Sequence, residues 1–135
     1  MTQEGRRKDL LVSEVKRIYI CGAITPTGRG NHSVEHLTNI KNGIKAGKML
    51  MRLGFSPYNP FLDYPYWLVD DGDFFLSVDR IRQMDMDWID KSDAVLVLPG
   101  FKRSVGAKAE IERAKRQNIP VFYEVDDLIA YREGK

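Results

Sequence analysis

Asp93-Ala94-Val95-Leu96-Val97-Leu98 is apolar at every position after the first. An unbroken apolar run of this length suits a parallel strand covered on both faces; a strand with one wet face would alternate. Pro99-Gly100-Phe101-Lys102-Arg103 then reads as a loop, and Ser104 as the N-cap of a helix reaching about Asn118. Upstream, residues 74–91 read as a helix. Working outward, residues 17–22 (Arg-Ile-Tyr-Ile-Cys-Gly) form a β-prone run ending at glycine. Residues 33–53 read as a helix with Leu37, Ile40, Ile44, Met49 and Leu53 facing inward, and with Gly43 and Gly47 permitting close packing. Gly54 ends that helix, and residues 55–58 form a short strand. Residues 59–73, rich in Pro, Asp and aromatics, suit an irregular loop over a site. Residues 119–123 are a further strand, followed by a short C-terminal helix.

Strands alternating with helices imply a parallel sheet wrapped on both faces, joined by right-handed crossovers. The expected fold is a small Rossmann-like (flavodoxin-like) three-layer α/β domain with a parallel sheet of four to five strands. It spans residues 17–135, after a basic arm over residues 1–16. Ligands on such sheets bind beyond the carboxyl ends of the strands, at a topological switch point. Here those ends are the loops after Gly22, Tyr58 and Leu98.

The chain has 135 residues, enough for one domain and too few for two with good cores. Its net charge is +2, and the first 17 residues carry all of it, because residues 18–135 hold 16 basic and 16 acidic groups. A neutral body with a short basic arm argues against a nucleic-acid partner. No apolar run approaches the roughly 20 residues of a membrane span, and no signal-peptide core is visible, so the expected location is cytoplasmic. The single Cys21 excludes an internal disulfide framework and is expected to pack at a strand end. His32 and His36 lack a third ligand near in sequence, which argues against zinc.

Helical geometry picks out two acids. At 100° per residue, Val78, Ile81, Met84 and Trp88 share a stripe with Ile89 at its border, and Asp85 falls inside it. In the Ser104 helix, Ala107, Ile111 and Ala114 make a narrow apolar stripe flanked by Glu110, less than two turns from the helix start. A carboxylate among apolar groups pays desolvation unless it is hydrogen-bonded or its pKa rises. Each acid alone is equally well read as a backbone cap or the partner of a buried arginine. Two inward acids on adjacent crossover helices suit glycosidic chemistry, one attacking the anomeric carbon and the other handling protons.

The loops add weaker signals. Gly22-Ala23-Ile24-Thr25-Pro26-Thr27-Gly28-Arg29-Gly30 lies between a strand and a helix, where backbone N–H groups hold phosphate. It lacks the third glycine of a dinucleotide fingerprint and the Gly-Lys-Ser/Thr of a P-loop. Ser104-Val105-Gly106, beside Lys102 and Arg103, makes a compact anion site, with simple N-capping as the alternative. Tyr64, Tyr66 and Trp67 are placed to stack on a base or to cover the core.

Tyr19-Ile20-Cys21-Gly22, Asp85-Met86-Asp87-Trp88-Ile89 with Ser92-Asp93-Ala94-Val95, and Ser104-Val105-Gly106-Ala107-Lys108-Ala109-Glu110 together resemble the nucleoside 2-deoxyribosyltransferase superfamily. The chain is especially similar to its 2'-deoxynucleoside 5'-phosphate N-hydrolase branch, and Asn31 and Asn59-Pro60 extend the likeness to small phage and bacterial proteins of the superfamily. The resemblance covers about residues 17–123 and implies cleavage of a nucleoside or nucleotide N-glycosidic bond without metal or organic cofactor. It makes Glu110 the nucleophile and Asp85 the acid that assists base departure, with Tyr19 beside the catalytic carboxylate. Ser104 and Gly106, with backbone from Gly22 and Ala23, would contact phosphate; Ile24, Asn59 and Trp67 are further candidates for substrate binding. A homodimer or larger assembly is implied as well. Ala23 and Thr25 depart from the serine and arginine usual in the hydrolase branch. Two rivals are a lysine-decarboxylase-like phosphoribohydrolase, whose Pro-Gly-Gly-x-Gly-Thr run fails at Phe101, and a non-catalytic nucleotide-binding module.

Overall fold

A computed structural model describes residues 14–24, 32–69, 72 and 75–135. The arm before residue 14, residues 25–31 with Arg29 and Asn31, and the His32 side chain lie outside the described residues. The elements in order are β1 (Arg17–Cys21), α1 (His32–Arg52), β2 (Ser56–Tyr58), α2 (Val78–Asp90), β3 (Ala94–Val97), α3 (Val105–Arg116), β4 (Val121–Phe122) and α4 (Val125–Arg132). Short 3-10 turns at Pro60–Leu62, Tyr64–Leu68 and Phe101–Arg103 fill the loops.

The four strands are all parallel, in the order β2-β1-β3-β4. The chain moves from β1 to one neighbour, then crosses back over β1 to β3, so the switch point lies between β1 and β3. The fold is therefore the small doubly wound α/β domain expected from the alternation of strands and helices. Alternate strand residues feed two cores. Ile18, Ile20, Ala94 and Leu96 pack against Ala46, Leu50 and Leu128 from α1 and α4. Tyr19, Cys21, Val95 and Val97 pack against Ile89, Ala107, Ile111 and Ala114 from α2 and α3. α1 and α4 therefore cover one face of the sheet and α2 with α3 the other. All four residues of β3 are buried, as its unbroken apolar sequence requires.

Two expectations about helices need correction. Leu37, Ile44 and Met49 are exposed rather than inward, at 65%, 39% and 36% of their surface. The face of α1 that meets the sheet side is Gly43, Ala46, Gly47 and Leu50. A Cβ on Gly43 would lie 2.3 Å from the Phe61 ring, so the helix approaches through its smallest residues and its larger side chains turn away. The second correction is the start of α2, at Val78 rather than residue 74. The Ser77 side chain accepts from the Arg80 N–H and fixes that end. The inward line of α2 is Ile81, Asp85 and Ile89, while Val78 and Trp88 are about half exposed. Asp85 is thus at the centre of the buried face.

Asp93 fastens the edge of this frame. Its Oδ2 accepts the N–H groups of Lys16 (3.0 Å) and Arg17 (2.8 Å), which sets β1 in register beside β3.

Candidate active site

Tyr19 and Tyr58 are register partners on β1 and β2. Both side chains emerge on the α2–α3 face and stack with centroids 5.6 Å apart; Trp88 of α2 stacks on Tyr58 at 5.4 Å. This aromatic row ends in hydroxyls that meet acids. Tyr19 Oη donates to Glu110 Oε2 at 2.7 Å. Tyr58 Oη donates a longer bond, 3.4 Å, to Asp85 Oδ1.

Glu110 hangs from the second turn of α3, which Ser104 caps by accepting the Ala107 N–H at 3.1 Å. Its stem is partly exposed, but its carboxyl lies deep against the sheet, where burial pushes its pKa up to about 7. Donation from Tyr19 and Cys21, and the Arg82 charge, pull the other way, while the Asp63 charge adds to the rise. Asp85 is pushed further, to about 9, first by burial and then by a hydrogen bond with Asp63 and the charges of Asp63 and Glu110. At neutral pH Asp85 holds a proton. Burial also raises the Tyr19 and Tyr58 hydroxyls and the Cys21 thiol, so all three remain donors. The two acids thereby differ in proton affinity, Glu110 titrating near neutrality and Asp85 about two units higher.

Asp63 was not legible as a site residue. It lies between two 3-10 turns, with no helical or strand periodicity to mark it, and the structure buries it to 8% exposure beside Tyr58 and Asp85. Tyr58 likewise joins the site only through sheet register with Tyr19.

Of the other expected residues, Gly22 sits at the carboxyl end of β1, where an added Cβ would come within 3.1 Å of Phe61 and 3.2 Å of Leu98. Ala23 follows it, and the Ile24 carbonyl meets His36 Nδ1 (3.1 Å) and Asn39 Nδ2 (3.2 Å). Asn59 turns its amide to the backbone: Nδ2 donates to the Gly43 carbonyl at 3.0 Å and Oδ1 accepts from the Phe61 N–H at 3.1 Å. That side chain holds the loop to α1, and Asn59 also lines the cavity described below. Trp67 donates its indole N–H to the Leu76 carbonyl at 2.8 Å and packs edge-on against Tyr64, forming a wall. Gly106 has open space above it, the nearest atom to an added Cβ being Ser104 Oγ at 3.9 Å. Cys21 does pack at a strand end, with Sγ 3.4 Å from the Ala107 carbonyl.

An open cavity of about 1230 Å³ lies beyond the end of β2, walled by Tyr58, Asp63, Tyr66, Trp67, Arg80 and Met84 among others. Tyr58 and Asp63 belong to its wall and also touch Asp85, so they connect the cavity to the paired acids. Among the described residues, no three His, Cys, Asp or Glu side chains are grouped to hold a metal ion. No helix of the described residues is long and apolar enough to cross a membrane.

The fold is thus a doubly wound α/β domain in which Asp85 and Glu110 face the sheet from α2 and α3. The chain belongs to the family described as "Domain of unknown function (DUF4406)", whose model matches residues 16–123. That span runs from the start of β1 to just past β4 and includes Tyr19, Asp63, Asp85 and Glu110. No curated protein matches the chain.

Proposed function

We propose that the protein is an N-glycosidase acting on a (deoxy)nucleoside or its 5'-monophosphate. The observation that carries this reading is the joint placement of Glu110, held by Tyr19 at 2.7 Å, and of a buried Asp85 within its electrostatic reach. Glu110 Oε attacks C1' and forms a glycosyl ester as the C1'–N bond breaks. The electron pair of that bond goes to the base nitrogen, which takes the Asp85 proton. Water or a second base then attacks C1', and Glu110 leaves as carboxylate. The proton lost by the water or by the acceptor base's N–H returns to Asp85, so water gives hydrolysis and an acceptor base gives transfer.

The Tyr19 hydroxyl orients the nucleophile and steadies its charge before attack. The aromatic cavity wall at Tyr66 and Trp67 offers faces for a base. The start of α3, with Ser104 and the exposed Lys102 and Arg103, suits a 5'-phosphate. A homo-oligomer, implied by the resemblance, belongs to this reading too.

The test is base release, followed by chromatography, from ribo- and deoxyribonucleosides and their 5'-monophosphates, with and without an acceptor base. Release by the wild type and none by Glu110→Ala is the expected result. No release from any substrate, with retained nucleotide affinity, would replace this reading with a binding module.

A further inference from the structure

Asp63 is a buried carboxyl with an unusual neighbour. Its Oδ2 is fully enclosed and accepts from no protein N–H or O–H group. Its carboxyl is within hydrogen-bonding reach of that of Asp85, and the Tyr58 hydroxyl serves both acids. Two carboxylates have only acceptors, so a hydrogen bond between them needs a proton held in common. Asp63 also lines the cavity, on the side where Tyr58 reaches Asp85. Among the described residues no lysine or arginine forms an ion pair with either acid, and buried acids this close do not both ionise readily.

Resting on the glycosidase reading, we infer that Asp63 is a positioning residue: it shares one proton with Asp85 and holds it there for delivery to the departing base. When the C1'–N bond breaks, the proton moves from Asp85 to the base nitrogen. The pair is then doubly charged next to Glu110, which by then is a neutral ester, so delivery is timed to the moment when the third charge has gone. Water attacking the ester returns a proton to the pair and restores the starting state.

The groups facing Asp85 are Tyr58 from β2, Asp63 from the following loop, Glu110 from α3 and Tyr19 from β1, with Arg82 on α2 itself acting on Glu110. Asp63 is the one acid of this group without a role in the proposed reaction. Removing its charge takes away a main reason for Asp85 to keep its proton. In Asp63→Asn the new amide N–H donates to Asp85 and favours its carboxylate further; Asp63→Ala removes the charge without adding that donor.

Two readouts separate this inference from the glycosidase reading. The first is a carboxyl carbon-13 NMR titration of the free protein, which needs no substrate. In the wild type the Asp63–Asp85 pair is expected to release its protons in two separated steps, the second well above neutrality. In Asp63→Asn and Asp63→Ala the Asp85 step moves down by about one pH unit or more. The second is the pH profile of base release, a bell rising as Glu110 ionises and falling as Asp85 loses its proton. In both variants the alkaline limb moves down and the bell narrows; the acid limb moves less, since Asp63 acts on Glu110 only through its charge. An Asp63 that titrates alone near the ordinary aspartate value, or an Asp85 step that stays in place in both variants, overturns the inference. If the wild type releases no base, the glycosidase reading falls, and the NMR titration alone decides whether the proton is shared.

Discussion

Replacing Glu110 by glutamine should abolish base release and yet make the fold more stable at alkaline pH. The acid has a folded pKa of about 7 against an ordinary 4.5, chiefly because burial penalises its charge. An acid whose folded pKa is raised binds more protons folded than unfolded between those two values. Stability therefore falls as pH rises from about 4.5 to about 7, and stays lowered above that. Each unit is worth about 1.4 kcal/mol, so the full penalty is about 3 kcal/mol. Glutamine carries no charge to desolvate and still accepts the Tyr19 hydroxyl, whose bond is 2.7 Å. Denaturant unfolding of both proteins at pH 4, 6 and 8.5 should give nearly equal stabilities at pH 4. The variant should gain progressively, by about 2–3 kcal/mol at pH 8.5. A difference that does not change with pH, or a variant less stable at pH 8.5, would refute the claim that Glu110 is held at the cost of burying its charge.

Tyr19→Phe removes the 2.7 Å donor that lowers the Glu110 pKa, so the acid limb of base release should move to higher pH and the maximal rate should fall at least tenfold. An unmoved limb would make Tyr19 a packing residue. Gly43→Ala forces a Cβ to within 2.3 Å of the Phe61 ring and should cost about 1–3 kcal/mol, read by thermal unfolding. Adding Phe61→Leu should recover part of that loss if the clash is its cause.

Much of the architecture was legible because it rests on patterns local to the chain. The apolar run at residues 94–98 needed cover on both faces, which only a central parallel strand has, and β3 is that strand. Ser104 announced the start of α3 because an N-cap is a contact over three residues. Asp85 and Glu110 could be singled out because helical periodicity assigns faces before any partner is known.

Tertiary structure decided the rest. The inward face of α1 was misread because its large apolar residues suggest a core stripe, whereas the space left by Phe61 admits only glycine at position 43. Tyr58 meets Asp85 because sheet register sets it beside Tyr19, two strands brought together across a helix of 21 residues. Asp63 belongs to an irregular loop whose course follows no period, and its closeness to Asp85 is a fact of packing alone. Periodicity describes how a segment faces its own neighbours; which acids come to share a proton depends on where separate segments end, and that is settled only when the sheet closes around them.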